Sequence, residues 1–272
     1  MTKSHLVWEG RDGALVRRPD ELAVEEPLEI RLATDGLPRT LTTTMRTPGN
    51  DFELAAGWML AEGVVDDPAA FHQIRYCTDP GVEQQYNVVT VELKVPPLRV
   101  AERLSPTTSS CGICGSASIE EIRALGHPRL EAGGQVTWET LAALPGTLAA
   151  SQKQFQSTGG LHGAALVSLE GELLASREDI GRHNAVDKVI GWALLESRFP
   201  LAGTVLVVSG RTSFEIVEKA LRAGIGFVAG VSAASDLAVR LAEEEGLTLV
   251  GWLRGERCTV YAHPERIAMV AS

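Results

Sequence analysis

Cys111 and Cys114 stand two residues apart, each followed by a glycine, in the small and polar run from Thr108 to Ser116. Such a run cannot build a core, so it reads as a loop made for chemistry. Ser118 and Glu121 stand at capping-box spacing before Ile119, Ile122 and Leu125, which predicts a helix starting just after the thiols. The positive end of that helix dipole favours thiolate over thiol, and the thiolate is both the nucleophile and the metal ligand. Three chemistries fit. The pair can be a nucleophilic thiol on a mobile arm; it can be half of a structural zinc site completed by the isolated Cys77 and Cys258; or it can be a thioredoxin-like redox pair. No second close cysteine pair is present for zinc, and the breaker-rich loop from Pro106 to Ser110, rather than a strand, leads into the motif. The nucleophilic arm is the reading these residues favour.

The 272-residue chain is long enough for two domains or one large one. Its formal net charge of -10 argues against broad binding to nucleic acid or to an anionic membrane. Any phosphate-bearing ligand must then be gripped by a few placed basic groups. The first ten residues lack an apolar signal core, no run reaches the length of a membrane span, and four cysteines with one close pair suit a reducing compartment. The expected location is cytoplasmic.

Positioning elements follow from the pattern. Leu28 to Leu32 and Thr40 to Met45 read as a hairpin across an Asp35-Gly36 turn, followed by a helix on Phe52, Leu54, Ala55, Trp58, Met59 and Leu60 and a half-buried strand over 89–95. Residues 1–104 are therefore expected to form an α+β roll. Arg46 lies beside the helix start, where an anion could sit, although an ordinary capped helix explains it as well. Residues 105–135 hold the thiol loop and its helix. Residues 136–272 alternate strand and helix: a hairpin over 164–177, a helix opened by Asp179 to Asn184, then the apolar runs Thr204 to Val208 and Gly226 to Val231 with helices between them. This predicts an α/β domain with a largely parallel sheet.

Ligands of such sheets bind where strands end and helices begin. Two loops qualify, Asp179 to Asn184 and Ser209 to Ser213, each with glycine, arginine and a helix N-terminus suited to phosphate. Neither carries a named nucleotide fingerprint. The order of elements is similar to the cytidine deaminase fold, but His183-Asn184-Ala185 lacks the His-x-Glu acid/base and Ser209 to Phe214 lacks cysteine ligands, so deamination and a catalytic zinc are rejected.

Five segments in order, Arg46 to Gly57, Ser110 to Gly115, Thr158 to His162, Asp179 to Lys188 and Ser209 to Glu215, together resemble the FdhD family of formate dehydrogenase accessory sulfurtransferases. The resemblance implies a homodimer that takes persulfide sulfur from a cysteine desulfurase and passes it to the molybdenum cofactor in its bis-guanine-dinucleotide form, for formate dehydrogenase. Carried onto this chain, it makes Cys111 the persulfide cysteine and Cys114 its helper, and it places a cofactor-contacting segment on Cys258, Thr259, Val260, Tyr261, Ala262 and His263. Arg182, His183 and Arg211 are the expected phosphate contacts. The competing expectation is a non-catalytic cofactor chaperone whose cysteine pair binds structural zinc.

Overall fold

The computed structural model describes residues 1–34, 37–77, 84–99, 127, 130 and 134–269. The chain opens with an antiparallel ribbon, β1 (Thr2–Arg11) and β2 (Ala14–Ala23). A four-stranded sheet follows in the order β4-β3-β6-β5, from β3 (Glu26–Thr34), β4 (Leu37–Arg46), β5 (Phe71–Tyr76) and β6 (Val88–Leu93), with β3 parallel to β6. Helix α1 (Asp51–Ala61) covers it.

The second sheet has the order β13-β12-β11-β10-β8-β9. Its strands are β8 (His162–Ser168), β9 (Leu173–Asp179), β10 (Thr204–Val208), β11 (Phe227–Gly230), β12 (Thr248–Arg254) and β13 (Arg257–Ala262). The expected largely parallel sheet is corrected here to a mixed one. Neighbours pair parallel only at β10–β11 and β11–β12; β9 runs in the same direction as these three, since a helix carries the chain from it across β8 to β10, while β8 and β13, joined by tight turns to β9 and β12, run against them. A short parallel pair, β7 (Val136–Thr137) with β14 (Ile267–Ala268), ties the end of the chain to the start of this half.

Residues of β10 alternate between two cores, as the pleat requires. Val205 and Val207 face a smaller cluster with Leu141, Leu144 and Leu148 of α2 (Trp138–Ser151), while Leu206 and Val208 face the main core. The short α3 (Lys153–Thr158) follows α2 and leads into β8. The main core is continuous across both sheets, joining Leu28, Ile30 and Val91 of the first to α1, α4 (Arg182–Leu195), α5 (Phe214–Arg222), α6 (Asp236–Glu245) and the near face of the second.

Two glycines make that continuity possible. A Cβ on Gly57 would stand 1.9 Å from the carbonyl oxygen of Asp187, and one on Gly191 would stand 1.8 Å from that of Glu53. Helices α1 and α4 therefore cross backbone against backbone, closer than any side chain allows. Among the described residues, no helix is long and apolar enough to cross a membrane.

Candidate functional site

The ends of β8, β9 and β10 that meet the N-termini of α4 and α5 gather the basic residues. His162 begins β8 and pairs in register with Asp179 at the end of β9, and Gly210 lies beyond β10, where a Cβ would touch His162 Nδ1 at 3.4 Å and Arg182 Cδ at 3.5 Å. Burial lowers the His162 pKa, and the neighbouring charges of Arg182, His183 and Arg211 lower it further against the opposing pull of Asp179. The sequence thus brings Arg182, His183 and Arg211 together, around a histidine held neutral in their midst.

Both helix ends here lack side-chain caps. Gly181 precedes α4 and Ser213 precedes α5, and neither side chain accepts from the first turn. By contrast, Thr137 caps α2 and Ser235 caps α6. Ser213 instead turns its hydroxyl to His183 Nε2 at 3.3 Å, and His183 Nε2 also lies 2.7 Å from Glu215 Oε2. The His183 hydrogen bond pulls the Glu215 pKa below the usual carboxylate range, against the effect of burial. Arg182 Nε is buried and, among the described residues, meets no acceptor. Two open helix N-termini, a buried unpartnered guanidinium nitrogen, Arg211 on the rim and a glycine at the floor make a donor set whose nearby carboxylates, Glu215 and Asp179, are already engaged by His183 and Lys188. Such a set fits a phosphate or diphosphate.

The loop that presents Arg182 is clamped from the first sheet. Asp179 is fully buried, and its carboxylate accepts from Gly181 N at 2.8 Å, Asn184 Nδ2 at 3.0 Å and Thr47 N at 3.1 Å, with Lys188 Nζ 2.7 Å away. Lys188 also donates to the carbonyl of Thr47 at 2.8 Å, and Thr47 Oγ1 accepts from Ile180 N at 3.2 Å. Arg46 follows neither the anion-binding nor the ordinary capped-helix reading, since Asn50 at the start of α1 makes no side-chain cap. It is 1 % exposed and clasps Asp51 with two 3.0 Å hydrogen bonds, while Tyr76 donates to the same carboxylate at 3.0 Å.

The expected C-terminal segment lies elsewhere. Strand β13 is the far edge of the sheet from β9, so Cys258 to Ala262 are separated from Arg182 by β12, β11 and β10. Cys258 and Val260 pack on the smaller core, and burial raises the Cys258 pKa, which disfavours its thiolate. Thr259 is exposed, Tyr261 and Ala262 turn to the main core, and His263 sits at the opposite end of the strands, held between Glu265 Oε1 at 3.0 Å and the carbonyl of Glu243 at 3.2 Å. Cys111 and Cys114 lie outside the described residues, as does most of 105–135. His162 and Glu215 were not singled out from the sequence; the signal available was the Gly159-Gly160 turn feeding His162 into a strand end, and Glu215 one turn from the Ser213 helix start.

The chain was compared with known proteins. Residues 23–268 match the model of the FdhD/NarQ family. Proteins named Sulfur carrier protein FdhD are similar over most of their length: that of Nocardia farcinica is 51% identical over 261 residues, covering 94% of this chain and 91% of its own. That of Streptomyces coelicolor is 50% identical over 280 residues, covering 100% and 98%. Among solved structures, a protein from Desulfotalea psychrophila described as a proposed formate dehydrogenase accessory protein superposes with a TM-score of 0.78 at 25% identity, over 98% of this chain and 99% of that one. With a family match from end to end of the two-sheet body, and half of its residues shared with those relatives, the chain belongs to the FdhD/NarQ family.

Proposed function

We propose that this chain is a sulfurtransferase that carries persulfide sulfur from a cysteine desulfurase to the molybdenum cofactor in its guanine-dinucleotide form, in support of formate dehydrogenase. Relatives at half identity are named as sulfur carriers, and the similar solved protein is described as a formate dehydrogenase accessory protein. The observation that carries the cofactor half of the reading is the open donor set of Arg182, Arg211 and two uncapped helix starts, with Arg182 Nε buried and unsatisfied. A phosphate-bearing dinucleotide supplies what that set lacks. The second half of the chain serves as a deaminase-like pocket reused for nucleotide.

In the sulfur half, the Cys111 thiolate attacks the terminal sulfur of the desulfurase persulfide. The donor's sulfur–sulfur bond breaks, its cysteine leaves as thiolate, and Cys111 becomes the persulfide for delivery. No oxidant is consumed. Cys114 assists. The working unit is a homodimer in the cytoplasm.

Two measurements test this. Intact-protein mass after incubation with a cysteine desulfurase and cysteine should show a reductant-sensitive gain of about 32 mass units, lost in Cys111→Ala and retained in part in Cys114→Ala. Replacing Arg182 and Arg211 together by alanine should weaken GDP binding by about 10–100-fold, the effect of removing charged hydrogen bonds. Equal dependence on both cysteines, with bound zinc and no sulfur adduct, would instead establish the cofactor chaperone. Unchanged GDP affinity in the double variant would remove the two arginines from the site.

A further inference from the structure

The β1–β2 ribbon has its first strand exposed along nearly its whole length and is anchored to the body at its base, by the Met1 amino group donating to Gln154 Oε1 and by Ala23 against Gly160. It lies outside residues 23–268 of the family match, save Ala23 itself. A lone two-stranded ribbon is marginal in water and needs a further strand or a packed face. This one carries Leu6, Trp8 and Leu15 on a single face, at 65%, 63% and 69% exposure, with Arg17 stacked on Trp8 at 5.4 Å. Apolar groups that open call for an occupant.

The two edges differ. Asp12 and Gly13 form a two-residue turn with φ of 52° and 79°, and Arg11 opposite Ala14 closes it. In such a hairpin the closing pair exchanges hydrogen bonds and alternate pairs do not. Leu6 opposite Pro19 and Trp8 opposite Arg17 are therefore non-bonded pairs, whose backbone groups point outward. On the β2 side that outward position is Pro19, which has no N–H to give. On the β1 side, Leu6 and Trp8 present a full set of donors and acceptors.

We propose that β1 is the edge through which two copies of this chain pair, antiparallel and centred on Val7, forming one continuous four-stranded sheet. In this register Leu6 exchanges hydrogen bonds with Trp8 of the second copy, since both have outward backbone groups. The same register sets His5 against Glu9 of the second copy beside the centre, and the like-charged Lys3 and Arg11 meet only at the strand ends, where fraying relieves them. Formal charges within residues 2–23 cancel, four basic against four acidic, while the chain as a whole carries -10. Two acidic bodies thus meet through their neutral part. Pro19 on both outer edges stops further addition, so the assembly closes at two. The proposal refines the homodimer expected above and does not depend on what the chain carries.

The test is sedimentation velocity on the full chain, beside cysteine cross-linking. Wild type should sediment as a dimer, and the Leu6→Glu/Trp8→Glu variant as a monomer with unchanged far-UV circular dichroism. Under mild oxidation, Val7→Cys should form a disulfide-linked dimer joined at that residue by peptide mapping, and Leu6→Cys should not. A monomeric wild type overturns the dimer and the edge together. A dimer unmoved by the two glutamates, and uncross-linked in Val7→Cys, overturns the edge while leaving dimerisation to another surface. Cross-linking of Leu6→Cys in preference to Val7→Cys overturns the register.

Discussion

Replacing Gly191 by alanine should unseat the crossing of α1 and α4. The added Cβ would lie 1.8 Å from the Glu53 carbonyl oxygen, 2.6 Å from its carbon and 2.8 Å from Gly57 N. All three are backbone atoms in a helix, so no rotamer change gives relief. Ordinary contact near 3.4 Å is regained only if the helices part by about 1.5 Å, and a gap of 0.5–1 Å already forfeits about a quarter to a half of a dispersion contact. The seam runs through Leu54, Ala55, Val186 and Ile190, each buried to within 1 %. The cost is placed at the top of the range for overpacking, about 3 kcal/mol. For a chain of this size that lowers Tm by about 6–12 °C.

Thermal unfolding followed by circular dichroism measures this directly, with Gly146→Ala as the control. Gly146 lies inside α2 with nothing within 4 Å of its Cβ position, so the same change there should stabilise by about 0.5–1 kcal/mol. A Gly191→Ala protein within about 0.5 kcal/mol of wild type would refute the crossing, because that is the scatter of an innocuous surface change.

Two further outcomes concern buried charge. Burial lifts the Glu218 pKa to about 7, with Glu62 and Glu215 adding to the rise while Lys219 and Arg222 oppose it. A raised carboxylate binds its proton more tightly folded than unfolded, so its contribution is complete below about pH 4.5 and is lost as pH rises through 7. Glu218→Gln should therefore be more stable than wild type at pH 8, by up to about 3 kcal/mol at 1.4 kcal/mol per pH unit, and equal to it near pH 4.5; urea titrations at the two pH values decide, and equal midpoints at pH 8 would dismiss the idea. Asp179→Asn leaves Lys188 buried beside a neutral amide and should cost about 3–5 kcal/mol, whereas Asp179→Asn with Lys188→Met should recover much of that loss; additive losses in the two changes would show that they do not act as a pair.

Much of this fold is written in local pattern. The alternation in Val89 and Val91 and the helical stripe from Phe52 to Leu60 marked β6 and α1, and the apolar run from Thr204 marked a strand buried on both faces. Strand direction was not legible, because β8 joins β10 by a pairing across more than thirty residues that no local signal specifies. The ribbon over residues 2–23 escaped notice because its apolar residues serve no core of their own chain, although Asp12-Gly13 between two equal strands is a hairpin signal. At the site, glycine and arginine beside helix starts pointed to Arg182 and Arg211. His162 and Glu215 became visible only when the register of β8 with β9 and the approach of α5 to α4 placed them there. By sequence Arg46 is open between an anion site and a capped helix, and its partner Asp51, only five residues on, shows itself once the chain turns into α1.

The glycine crossing has a consequence for the order of events at the ribosome. Residues 26–93 emerge just after the ribbon, yet the face of α1 that bears Gly57 has its counterpart in α4, whose residues 182–195 are made about a hundred positions later. Until then Leu54 and Ala55 lack Val186 and Ile190, and the early sheet is a half-finished core awaiting chain still being synthesised. At about 5–20 residues per second that wait lasts several seconds or more, long enough for a holding chaperone to engage the nascent segment.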